Sequence, residues 1–127
     1  MKSELKNRMK RNGIDVDGVL DRLAGNEDFY EYLLMQFQLE DRMKSIEMSF
    51  MIRDYVSMEM ATQNLESVAS NLGFTRVLKS TAKLNQLLMK KRYDDLDESF
   101  MRVKADYEHL MDFLSENFVD QRVVVMI

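Results

Sequence analysis

The sequence predicts an all-α chain: an antiparallel, up-down-up-down four-helix bundle with short N-terminal helices capping one end. Three observations carry this expectation. There is no proline and there are only four glycines in 127 residues, so helices are interrupted at few points. Apolar residues recur at spacings of three and four over long stretches. Helix start and stop signals separate those stretches and leave connections of one to three residues, which force neighbouring helices to run antiparallel.

The bulk composition narrows the function classes. Hydrophobic content of 46% with 31% charged residues suits one folded domain with its own core. With no cysteine there is no disulfide and no thiol chemistry, and the absence of a secretory signal leads us to expect a cytoplasmic protein. No apolar run approaches the roughly 20 residues of a membrane span, so no membrane partner is expected. A net charge of −4 argues against nucleic acid, and a single histidine precludes a multi-histidine metal site.

Residues 1–11 carry five positive charges against one negative, with Leu5 and Met9 one turn apart. A solvated helix is the expectation, with an anionic partner or an interface as the alternative, and residues 1–12 are set apart as a basic arm. Asp15 caps a short helix over 16–23, striped by Val16, Val19, Leu20 and Leu23 and ended by Gly25. Asn26 caps the next helix, where Glu27 and Asp28 lie at its positive end. That helix is predicted to run to about Arg53, with Tyr30, Leu33, Leu34, Phe37, Met43, Ile46, Phe50 and Met51 as core candidates. Its stripe blurs between Gln38 and Arg42, where a bend or a looser contact is expected.

Asp54 opens the helix over 55–73 and Gly73 closes it. Tyr55, Met58, Thr62, Leu65, Ala69 and Leu72 form its core stripe. At about 100° per residue, Gln63, Ser67 and Ser70 point well away from that stripe. The following helix, over about 75–92, packs through Val77, Leu78, Thr81, Leu84, Leu87 and Leu88 and ends in Lys90, Lys91 and Arg92. Tyr93 and Asp94 make the turn into the last helix, 95–118. There Leu96, Phe100, Val103, Tyr107, Leu110 and Leu114 form a bundle seam. The bundle is therefore expected over 13–118. The remaining residues, 119–127, end in the apolar run VVVMI, expected to dock on the bundle, with an intermolecular contact or fraying as alternatives.

Several stretches resemble histidine phosphotransfer (HPt) domains. They are Gly13-Ile14-Asp15, Leu20-Asp21-Arg22-Leu23-Ala24-Gly25 and Tyr30-Glu31-Tyr32-Leu33-Leu34-Met35-Gln36-Phe37, followed by Asp54-Tyr55, Ala61, Leu65 and Asn71-Leu72-Gly73. The resemblance covers about residues 13–118 and implies the same capped four-helix bundle. The family's most specific segment reads His-x-Leu-Lys-Gly, then small residues and Asn-Leu-Gly. Aligned without gaps on Asn71-Leu72-Gly73, this chain has Gln63 at the histidine, Glu66 at the lysine and Ser67 at the glycine.

That departure is chemical. A phosphorelay histidine attacks through a neutral ring nitrogen, and a glutamine amide has no lone pair of comparable basicity. Glu66 would repel a phosphoryl group that a lysine would hold, and Ser67 crowds the access that a glycine leaves open. The resemblance thus implies a phosphotransfer-inactive member, a pseudo-HPt module that binds a response-regulator receiver domain or a histidine kinase. The residues implied for that contact are Val56, Glu59, Met60, Gln63, Glu66, Ser67 and Ser70. Val56, Met60, Gln63 and Ser67 also fall on one line opposite the core stripe, and a methionine there suits adaptable partner contact.

The other readings have less behind them. His109 lies outside the motif among Asp106 and Glu108 and is expected to be an ordinary flank residue. Ser67 and Ser70 are nearby nucleophiles without an activating base. Twelve methionines sit mostly at core spacing, which favours packing over metal ligation. No enzyme and no cofactor are expected. The competing function is a structural or oligomerisation bundle, in which the Val56–Met60 line or the VVVMI run buries against a second copy as a homodimer.

Overall fold

The computed structural model describes residues 1–119, and the predicted docking of the VVVMI run lies outside them. Within that span the chain is all-helical, with seven α-helices and one 3₁₀ turn among the described residues. They are α1 (Ser3–Arg11), α2 (Val16–Arg22), α3 (Glu27–Phe37), α4 (Arg42–Met51), α5 (Tyr55–Leu72), α6 (Thr75–Met89), the 3₁₀ turn Tyr93–Asp95, and α7 (Leu96–Asn117).

The start signals act as the sequence predicts. Asp15, Asn26 and Asp54 each accept a hydrogen bond from the backbone N–H three residues on, at Gly18, Phe29 and Ser57 respectively. Gly73 closes α5 in the left-handed conformation, with φ at +79°. Tyr55 and Tyr93 stack with ring centroids 3.9 Å apart, which ties the start of α5 to the 3₁₀ turn.

One predicted helix divides. Instead of running over 27–53 with a bend, the chain leaves α3 after Phe37 and restarts as α4 at Arg42. The polar run between them supplies the caps. Asp41 Oδ1 accepts from Met43 N and Lys44 N, Arg42 Nη1 donates to the Phe37 carbonyl, and Gln38 Nε2 donates to the carbonyls of Leu34 and Phe118. The broken helix therefore leaves few polar backbone groups unmet, and the restart resets the helical phase. Met43, Ile46 and Phe50 turn inward on the new phase, while Met51, a predicted core residue, stands 80% exposed.

Helix α5 lies against α4 on one side and α6 on the other, and α6 lies against α7. Side chains join α4 to α7 as well, through Phe50 against Phe100 and an ion pair between Glu47 and Lys104. The core between them holds Met58, Leu65, Ala69, Leu84, Leu88, Val103 and Leu114, and all six predicted seam residues of α7 are buried. Thr62 takes its place in the stripe by donating its hydroxyl to the Met58 carbonyl, 2.7 Å away.

The N-terminal helix is docked, in contrast to the solvated helix expected. Met9 is fully buried in the common core. The N-terminal ammonium and Lys6 both pair with Glu27, and Lys10 pairs with Asp17. The sequence shows two apolar residues on α1, and the burial of Met9 shows how much one deeply seated side chain anchors.

Candidate functional site

The site is built on α5, whose two ends are held from outside the helix. At the C-terminal end, the carbonyls that a helix leaves without partners are met one by one. Ala69 O accepts from Phe74 N, and Arg22 Nη2 donates to the carbonyls of Ser70 and Asn71 at 3.2 and 3.1 Å. The Tyr30 hydroxyl donates to Leu72 O at 2.8 Å, and Asp15 N donates to Gly73 O at 2.7 Å. Burial, with a smaller contribution from Asp15, pushes the Tyr30 phenol well above its ordinary range, so it stays a donor. A Cβ on Gly73 would stand 2.7 Å from Val19 Cγ2 and 2.9 Å from the Asp15 carbonyl. Both the backbone conformation and the close approach of α2 thus require glycine there.

The middle of the same helix is open. Val56, Met60, Gln63, Ser67 and Ser70 are all exposed and run down one side of α5, as the periodicity predicts. Val56 is 73% exposed and Met60 68%. Gln63 Nε2 donates to Glu59 Oε1 at 3.3 Å, an exposed contact one turn away on the same helix. Gln63, Glu66, Ser67, Ser70 and Asn71 line a shallow polar depression with Leu78 of α6.

Glu59 and Glu66 are the half-buried residues on this face, and Glu66 accepts a hydrogen bond from Asn85 Nδ2 of α6. Asn85 is 4% exposed, and its Oδ1 has no partner among the described residues. The carboxylate is thus tied back onto α6, and its negative charge stays at the rim of the depression. Sequence reasoning does not single out Asn85, although a lone amide beside Leu84 and Leu88 is the available signal. Nothing local to Arg22 or Tyr30 in the sequence reveals their hold on α5.

Among the described residues, no predicted site residue hydrogen-bonds the single histidine. His109 is exposed on α7 and shares a hydrogen bond with Asn12 Oδ1 at 2.8 Å. Chemically, the depression offers amide and hydroxyl groups and a carboxylate, with no activated nucleophile among them. Among the described residues no group of three or more histidine, cysteine or acidic side chains could hold a metal ion. No helix among them is long and apolar enough to cross a membrane. The chain matches no protein-family model, no curated protein and no solved structure.

Proposed function

We propose that this chain is a phosphotransfer-inactive, HPt-like module: an up-down-up-down four-helix bundle that binds a partner of two-component signalling and relays no phosphoryl group. The bundle is read from α5, α6 and α7 together with the broken α3–α4 segment, and α1 and α2 cap one end of it. A single observation carries the function. The exposed mid-helix position where the resemblance expects histidine is Gln63, and a carboxylate, Glu66, stands one turn away. The residues that frame that position, Leu65 and Leu72-Gly73, are buried and braced. A scaffold kept around a position unable to do the chemistry favours binding over relay.

The contact surface in this reading is Val56, Glu59, Met60, Gln63, Ser67 and Ser70. The partner is a receiver domain or a histidine kinase, and no cofactor takes part. Purified phosphorylated receiver domains test it directly. The chain should remain free of acid-labile label, and Met60→Glu should weaken receiver binding by about tenfold or more, as expected for a charge placed in an apolar contact. Label on the chain that disappears with His109→Gln would overturn the inactive assignment.

A second reading has its own observation. Met48, Met51, Ile52, Val56 and Met60 are all more than half exposed around the α4–α5 turn. This apolar surface also suits self-association into a structural homodimer. Light scattering separates the two readings: a stable dimer that Met60→Glu dissociates, with no receiver binding, favours the structural one.

A further inference from the structure

We infer that the groove between α6 and α7 is an oxyanion site for a linear di- or triphosphate group. The groove lies apart from the Gln63 face and is independent of the function proposed above. Arg76, Lys79 and Lys83 follow one another along one side of α6, spanning roughly 10 Å of helix. Arg102 faces them from α7. The carboxylates on the same groove are Asp106 and Glu98, so four cations face two anions in a chain whose net charge is −4. Among the described residues, none of the four cations is paired with a carboxylate.

Two hydroxyls lie at the groove's centre, beside Lys83 and Arg102. Ser80 Oγ is already engaged with the carbonyls of Arg76 and Val77. Ser99 differs: its residue is 6% exposed, it lines the groove, and its Oγ has no hydrogen-bond partner among the described residues. A buried hydroxyl without a partner carries a desolvation penalty that an incoming acceptor removes. An oxyanion supplies that acceptor once the Ser99 side chain turns toward the groove, and it also meets the unpaired lysine and arginine. At the far end, Arg76 is held in place by donating to the Arg11 carbonyl at 2.7 Å, which leaves further guanidinium donors free. A single phosphate meets the centre of this row, whereas a linear di- or triphosphate reaches its length.

The test titrates the full chain with inorganic pyrophosphate at physiological ionic strength and follows backbone amides by NMR. Saturable shifts should centre on Ser80, Lys83, Ser99 and Arg102, and affinity should fall as salt rises. The exposed pair Lys83→Gln/Arg102→Gln should bind at least about tenfold more weakly, with Ser99→Ala losing a few-fold. The control pair Lys44→Gln/Lys90→Gln, elsewhere on the surface, should bind like the unaltered chain. Equal affinity for ADP and pyrophosphate identifies the phosphates as the whole ligand, and tighter ADP binding identifies a nucleotide. Absence of saturable binding at millimolar pyrophosphate, or equal losses in the two double variants, overturns the proposal.

Discussion

The C-terminal turn of α5 and its middle differ sharply although they belong to one uninterrupted helix. At the turn, Arg22, Tyr30, Asp15 and Phe74 satisfy five successive carbonyls, from Ala69 to Gly73. In the middle, one face holds Met58, Leu65 and Ala69 in the core while the opposite face carries exposed Met60, Gln63 and Ser67. The turn is determined by α2 with its cap Asp15, by Tyr30 of α3 and by the next residue along, Phe74. The outer middle face is determined by nearly nothing and is free to vary in chemistry without disturbing the fold. A binding surface belongs on such a face, because a helix braced at its end presents side chains at fixed spacing whatever those side chains are.

Substitutions break this comparison in order of expected size. Leu65→Ala, at a fully buried position behind the open face, should cost about 2–5 kcal/mol in urea unfolding, through lost burial and a cavity. Gly73→Ala should cost about 2 kcal/mol or more, because it forces a Cβ into the left-handed region and against Val19. An unchanged midpoint would show that α2 yields at little cost and that the turn is less tightly determined than the geometry indicates.

Tyr30→Phe should cost roughly 1–2 kcal/mol, since it leaves the buried Leu72 carbonyl without its donor. It should also change the alkaline limb of stability. The folded Tyr30 phenol is raised above its ordinary value of 10.0, so its stabilisation is complete below pH 10.0 and declines as the pH rises above it. Melting temperatures above that pH should fall less steeply in Tyr30→Phe than in the unaltered chain. Tyr107, also raised by burial, adds a smaller decline of the same sign that the variant retains.

The smallest effect is expected on the open face. Gln63→His should change stability by no more than about 0.5 kcal/mol, as an exposed side chain with one weak neighbour contact. By itself it should also fail to acquire label from a phosphorylated receiver, because Glu66 stays fixed by Asn85 beside it. Stable labelling of that single variant would show that the acidic neighbour is no barrier to phosphoryl transfer at position 63.

Acid weakens the helix starts. Asp54 is held below its ordinary value of 3.8 first by the Ser57 hydroxyl and then by the Ser57 backbone N–H. Glu27 is held below 4.5 by the N-terminal ammonium and then by Lys6. For carboxylates lowered on folding, the stabilisation is present above those ordinary values and is lost as the pH falls through the lowered ones. Both groups are partly exposed, so the loss is gradual and screened by salt.

Much of this architecture is local in origin. A cap is a bond over three residues, and Asp15, Asn26 and Asp54 read directly as starts. The left-handed Gly73 reads as a stop for the same reason. The α7 seam follows from spacing on a single helix, and so does the outward direction of Gln63. Other features depend on partners far along the chain. Arg22 reaches Ser70 and Asn71 across 48 and 49 residues, Tyr30 reaches Leu72 across 42, and Asn85 reaches Glu66 across 19. The division of the 27–53 helix needed Phe118 and Tyr107 to supply partners at the break. Periodicity assigns a residue to a face, and only packing decides which face is covered. So the sequence alone determined α5 and α7, the caps Asp15, Asn26 and Asp54, the Gly73 stop and the outward direction of Gln63. The tertiary structure decided that Met9 is inside, Met51 outside, Glu66 tethered and Ser99 left without a partner among the described residues.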